Sequence, residues 1–341
     1  MSTTLDVERP TRSPRLRPRL NLAALPTVAA VVILAIMLVY GELAYGKIFQ
    51  LNTLSNLFIS NSYLIILAVG LTFVILAGGI DLSVGAVVAF ASVSGVMLVN
   101  TGVPSVLAMV AMVAIGAVFG LMSGVLVQYF NVQPFIATLA MMFLARGLAS
   151  ILSTAPERLA DDSDFRTLSD EIKVIDGPKL NDLVITPNVV IALLVAAAGF
   201  VLLHRTRFGR TVYAIGGSEQ SATLMGLPVA RTKVWIYVVS GTCAGLAAVV
   251  YTSKLGIAQN ITGTGWELDA IAATVIGGTL LTGGAGYVLG SVVGALVLGL
   301  MNVLITRDGS IPAEATTIIT GVVLLAFVIL QRAVTHARRR T

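Results

Sequence analysis

Few side chains in this 341-residue sequence could hold a polar ligand, and most of those stand among apolar neighbours. Asp81 follows Gly78 and Gly79 in VILAGGIDLSVGAVVAF and precedes Ser83. Arg146 interrupts MMFLARGLAS, and Glu267 and Asp269 follow Trp266 in NITGTGWELDAIAATVIGG. Asn61 and Asn302 lie in or beside apolar runs. A charge at the centre of a bilayer costs roughly 2.5–3.5 kcal/mol on insertion scales, so such residues pair, line a polar passage or sit at a boundary. Covalent chemistry has no set of residues to perform it. His204 and His336 are far apart, the single Cys243 rules out an internal disulfide or a cysteine metal cluster, and neither HExxH nor GxSxG occurs. No GxxxxGK[ST] loop is present to cradle nucleotide phosphates. The chain therefore calls for no cofactor or metal of its own.

The medium around these residues follows from composition. Charged residues make up 11% of the chain and hydrophobic ones 56%, with a mean hydropathy of +0.92. Soluble domains carry about 25% charge. The chain reads as an all-α polytopic membrane protein, because a helix of about 20 apolar residues crosses about 30 Å of hydrocarbon. The 33 glycines suit close helix packing in lipid.

Ten spans are expected: 22–40, 57–76, 84–99, 104–127, 134–152, 188–203, 234–251, 268–281, 287–304 and 312–330. The segments at 84–99 and 268–281 are short and glycine-flanked, which leaves a re-entrant or broken helix open at each. Residues 1–20 form a basic tail with Arg12, Arg15, Arg17 and Arg19, and 333–341 a second one. Residues 21–332 make one transmembrane domain. The stretch 153–187 has eight acids and four bases, whereas 204–233 has Arg205, Arg207, Arg210, Arg231 and Lys233 against Glu219 alone. Basic loops stay in the cytoplasm. With both termini inside, ten crossings put 153–187 outside and 204–233 inside, so the parity closes. The net charge of +5 lies largely in these flanks and speaks to topology rather than to nucleic acid. LTFVILAGGIDLSVGAVVAF also echoes IAATVIGGTLLTGGAGYVLG, which suggests a parallel internal repeat.

On this map Asp81 falls in an inward link, where it can keep water and where it or Ser83 can cap the helix opening near Val84. A gating or pathway role is the other reading. Arg146 falls in the outer half of its span. It snorkels, faces a passage, or pairs with Glu267 or Asp269. Trp266 suits an interfacial anchor and the two acids a first helical turn. Asn61 and Asn302 line a route for a hydroxyl-rich solute or join helices. In the basic loop, EQSATLMGL reads as a short amphipathic helix stopped at Gly226. Phe208, Tyr213, Ile215, Leu224 and Met225 either fold back on the bundle or dock a cytoplasmic partner.

Three stretches, TFVILAGGIDLSVGAVVAF, TRFGRTVYAIGGSEQSATLMGL and ELDAIAATVIGGTLLTGGAG, resemble the permease subunits of bacterial ribose-type ABC importers for monosaccharides. The closest likeness is to the galactofuranose-type sugar permeases. The resemblance implies a channel of two like or paired permease subunits, fed by a periplasmic sugar-binding protein. It implies that ATP and Mg are held by a separate cytoplasmic ATPase, and that the chain resides in the bacterial inner membrane. Residues 205–227 would then be the coupling region, with Arg205, Arg207, Phe208, Gly209, Tyr213, Gly216, Leu224, Met225 and Gly226 as its candidate residues. Residues 78–83 and 277–286, including Gly277 and Gly278, would belong to the core around the pathway. An ion-coupled transporter or a passive channel for a small polar solute is the alternative.

Overall fold

The computed structural model describes residues 25–160, 163–175, 182–309, 312 and 315–339. The N-terminal basic tail lies outside them. Twelve α-helices are described. The first five are α1 Leu25–Tyr45, α2 Leu51–Leu76, α3 Val84–Asn100, α4 Ser105–Tyr129 and α5 Pro134–Leu152. After an irregular segment come α6 Pro187–Arg205, α7 Arg207–Gly217, α8 Glu219–Leu224 and α9 Val229–Leu255. The last three are α10 Trp266–Ile276, α11 Val288–Asp308 and α12 Ala315–Arg339. The helix thus continues through residues 333–339 of the C-terminal basic tail.

Seven of these (α1, α2, α4, α5, α6, α9 and α11) are long and apolar enough to cross a membrane, which makes this a multi-pass membrane protein. The stretches Val84–Asn100 and Ala315–Ile329 are shorter apolar helices. The expected span at 268–281 needs correction. Its helix stops at Ile276 before Gly277. With 11 residues it is about 16 Å long, near half of the hydrocarbon thickness. The rest of that segment is an irregular link, 277–287.

The core is built on α2 and α9. α2 is buried along nearly its whole length from Leu64 to Leu76. α4 lies against α9 along a face of small residues: Gly116, Gly120 and Gly124 recur every four residues and therefore share one side of the helix. A side chain at Gly116 would run into the carbonyl of Gly241, and one at Gly120 into that of Tyr237. Backbone-to-backbone packing of this kind is what glycine contributes in lipid, where apolar burial alone gives helices no reason to associate.

The loops sort to two ends. At one end Glu157–Arg158 pairs antiparallel with Ile257–Ala258, and Asn100 donates to the Arg158 carbonyl at 3.1 Å. At the other end the α2–α3 link, the α10–α11 link and α7 come together. The described parts of the acidic stretch 153–187 and the basic connector 204–233 therefore occupy opposite ends of the bundle.

Candidate functional site

The basic connector is two helices rather than one. Besides α8, which ends at Leu224 with Gly226 at φ +75° as its composition suggested, Arg207–Gly217 is helical. Thr206 caps α7 by accepting from the Gly209 amide, and Ser218 caps α8 by accepting from Ser221. The apolar residues of the connector divide into two sets. Phe208 packs on Phe73 of α2 with ring centroids 6.2 Å apart, and Ile215 is buried. Leu224 and Met225 are 83% and 68% exposed. Arg205 and Arg207 are exposed as well.

α7 is fixed to both irregular links. The Tyr213 hydroxyl donates to the Gly286 carbonyl at 2.6 Å. Burial pushes this phenol up to about 12, so it remains a donor throughout the physiological range. The Gly284 amide donates to the carbonyl of Leu76, the last residue of α2, at 2.9 Å. Gly216 lies against both partners of that bond, and a Cβ there would collide with them. Gly283, at φ +83°, turns the α10–α11 link into this junction. The two glycine-rich stretches that echo one another thus meet at α7.

Asp81 lies deeper than the sequence suggested. It is 1% exposed, so it keeps no bulk water. Its Oδ1 accepts from the Ser83 amide at 2.9 Å and the Ser83 hydroxyl at 2.6 Å, and its Oδ2 accepts from Ser240 of α9 at 2.8 Å. The cap is local to the turn. Ser83 is the N-cap of α3 and its own side chain makes no capping bond. Gly79 lets the Tyr237 ring approach, since a Cβ there would lie 2.6 Å from the phenol oxygen. Gly78 is at φ +78°, and Gly278 of the other link at φ +99°.

A second polar group sits toward the opposite end. Arg146 does not form the ion pair expected with Glu267 or Asp269. Its Nη1 donates to the carbonyls of Asn260 and Thr262, each at 2.7 Å, while Asn260 Nδ2 donates to Ser150 at 3.1 Å. Backbone carbonyls win because residues 259–265 form a turn that aims two of them at one guanidinium. Glu267 is near enough for its charge to act on Arg146, and it lies over Gly85 at the start of α3. Its Oε2 is buried without a hydrogen-bond partner. Glu267 and Asp269 occupy the first turn of α10, as their types suggested. Trp266 packs between Tyr63 and Tyr251, with ring centroids at 4.1 and 4.6 Å.

The other candidates lie apart from these groups. Asn61 is buried at the α2–α11 seam, where it faces Gly299 and donates to Leu57 of its own helix. Asn302 is on the exposed side of α11. Gly277 packs against Gly290, and its carbonyl accepts from Thr27 at 3.0 Å. Cys243 is buried and free. Among the described residues no group of three or more His, Cys, Asp or Glu could hold a metal ion. Sequence reasoning missed Ser240, Tyr237, Asn260 and Thr262. Nothing in a lone serine or in a backbone carbonyl signals its partner from a distant segment.

The basic connector is thus tied through α7 to the two irregular links of the bundle. Residues 53–328 match the family described as branched-chain amino acid transport system / permease component. The chain belongs to that permease family. Among curated relatives, the fructose import permease protein FruG of Bifidobacterium longum is 55% identical over 95% of both chains. The inner membrane ABC transporter permease protein YjfF of Escherichia coli is 38% identical over 89% of this chain and 93% of that one. The ribose import permease protein RbsC of the same species is 39% identical over 74% and 78%. As a member of this family the permease is a transport subunit rather than an enzyme. The permease matches the family from the start of α2 into α12, so both polar groups and the connector helices α7 and α8 lie within the shared region.

Proposed function

We propose that this chain is the membrane permease of a binding-protein-dependent, ATP-driven monosaccharide importer of the bacterial inner membrane. The observation that carries the reading is the junction of Leu76, Gly216 and Gly284, closed by the Tyr213–Gly286 hydrogen bond. A cytoplasmic ATPase docked on Leu224 and Met225 would move α8 and, through α7, both links at once. Those links lead into α3 and α11. Rocking such elements around a central site is how broken-helix carriers alternate access. ATP and Mg belong to the ATPase, and a periplasmic binding protein delivers sugar to the end that carries residues 153–187. A second permease copy or a related subunit completes the channel, and both termini lie in the cytoplasm.

Sugar hydroxyls cost about 1–3 kcal/mol each when buried unpaired, so the route needs polar groups. Arg146, the carbonyls it holds, and the unpaired Oε2 of Glu267 supply donors and acceptors toward the binding-protein end. Asp81 and Ser83 form the next polar layer toward the ATPase.

The names of the relatives support a monosaccharide: fructose import for the 55% identical chain, ribose import and D-allose transport for others. Fructose is accordingly the first cargo to test. A galactofuranose-type cargo has no support among these names and rests on sequence likeness alone. The decisive experiment reconstitutes the permease in vesicles with its ATPase and binding protein and measures ATP-dependent uptake of labelled fructose, ribose, allose and galactofuranose. Accumulation of one of these only with all components present supports the reading. Gradient-driven or downhill uptake by the isolated chain would instead make it an ion-coupled carrier or a passive channel.

A further inference from the structure

Beside the coupling segment, a cleft of about 870 Å³ opens between the end of α6, α7 and the start of α9. Arg207, Arg210 and Arg231 stand at its polar part, and Phe208 and Trp235 form apolar walls. An apolar groove of about 690 Å³ lies between α6 and α9. The two share Leu202 and Val239, so the basic cleft and the greasy groove adjoin. Phe73 and Gly199 line the greasy end. Gly199 already brings α6 close, since a Cβ there would lie 2.6 Å from Val69.

The charge is uncompensated. No acidic residue lines either cavity. Glu219, the one acid of the basic connector, is taken by Lys233 at 2.8 Å. Among the described residues none of the three arginines forms a salt bridge. From Leu246, at the far end of the groove, to Arg231 is about 22 Å along α9. One leaflet with its headgroup layer is about the same, half of the roughly 40–45 Å of a whole bilayer. Trp235, half exposed between the two parts, stands where an interfacial aromatic belongs. An apolar helix from a partner would fill the groove but would give the three exposed arginines of the cleft no counter-charge. A zwitterionic lipid would match the shape but not the charge.

We infer that the two adjoining cavities act as one channel that binds one anionic phospholipid. Its phosphate lies among Arg207, Arg210 and Arg231, and an acyl chain runs along α6 and α9 past Val239 and Gly199. The occupant would brace α7 against the membrane-spanning helices.

The test uses the full chain in nanodiscs of phosphatidylglycerol and phosphatidylcholine, extracted and weighed by native mass spectrometry. The wild type should retain phosphatidylglycerol in preference. The double variant R210Q/R231Q should lose that preference by roughly thirtyfold, about fivefold for each basic residue removed. R210K/R231K should keep most of it, which separates charge from folding damage. Ala198 lines the groove with an exposed side chain. Ala198→Trp should therefore lower retention of both lipids. Unchanged preference in R210Q/R231Q overturns the proposal. So does an Ala198→Trp variant that dissociates a permease dimer while its lipid retention is unchanged, which would assign the groove to a second copy.

Discussion

Asp81 and Ser240, 159 positions apart, meet at 2.8 Å between the α2–α3 link and the middle of α9. With the amide and hydroxyl of Ser83, Ser240 supplies all three hydrogen bonds that hold this buried carboxylate. Hydrogen bonds to a charged group contribute about 1.5–3 kcal/mol. Ser240→Ala should therefore lower unfolding stability in detergent by about that amount. Asp81→Ala should cost more, because it strips three donors of their acceptor. The double variant should fall short of the sum by about 0.5–3 kcal/mol. Strict additivity in denaturant titrations would mean that the contact carries no energy.

Gly216→Ala places a methyl group where the Leu76 carbonyl and the Gly284 amide now lie. The neighbours are backbone, so they cannot turn aside as a side chain would. The expected cost is about 1–3 kcal/mol of stability, typical of overpacking, together with loss of transport-coupled ATP hydrolysis. Gly217→Ala is the control, since nothing lies within 4 Å of its added carbon. Equal behaviour of the two variants in an ATPase assay would remove the junction from the coupling route.

Tyr213→Phe deletes one hydroxyl and leaves the ring. It should cost about 0.5–1.5 kcal/mol and weaken the stimulation of ATP hydrolysis by loaded binding protein. The pH dependence has a definite sign. The folded-state pKa of this phenol lies near 12, above its ordinary 10.0. Its contribution to stability is therefore complete below pH about 10 and is lost as pH rises toward 12. Urea melts of wild type and variant should run parallel from pH 6 to 9 and converge only above that range.

Leu224→Asp and Met225→Asp probe ATPase docking without touching the core, because both side chains are largely exposed. Each should abolish co-purification of the ATPase while leaving the permease melting temperature within about 2 °C. Phe208→Asp is the poorer probe, since it would also break the stacking on Phe73. Retained ATPase binding by both variants would move the docking surface elsewhere.

Arg146→Ala frees two carbonyls that now share one guanidinium. Residues 259–265 should then exchange amide hydrogens faster, and uptake per folded molecule should fall about tenfold or more, since each lost charge-assisted bond contributes about 1.5–3 kcal/mol. Arg146→Lys should recover part of the uptake only, because an ammonium lacks the planar fork. Full uptake in Arg146→Ala would exclude the residue from the pathway.

Helices were legible wherever the apolar run was long. The limits of α5 at Pro134 and Leu152 follow from a proline at its start and a polar stretch beyond its end. The stop of α8 just before Gly226 was readable because glycine readily takes the positive φ that closes a helix. α10 was readable only in part. Its apolar composition runs past Gly277 to Leu281, but Gly278 takes φ +99° and the Gly278 and Thr279 amides close the helix on Val275 and Thr274. The sites were legible as residues and illegible as partners. Arg146 and Asp81 announced themselves as charges in apolar text, but what satisfies them is a pair of carbonyls and a serine from far along the chain. Hydrogen bonds of that kind leave no periodicity in the sequence.

The glycine seam joining α4 to α9 leaves no cushion of side chains between two rods. Such a joint has one snug fit and few neighbouring ones, so the pair swings as a single girder. The half-crossing of α10 is clasped in the same manner, with Gly294 against the Ala273 carbonyl and Gly290 against that of Gly277, so it travels with α11.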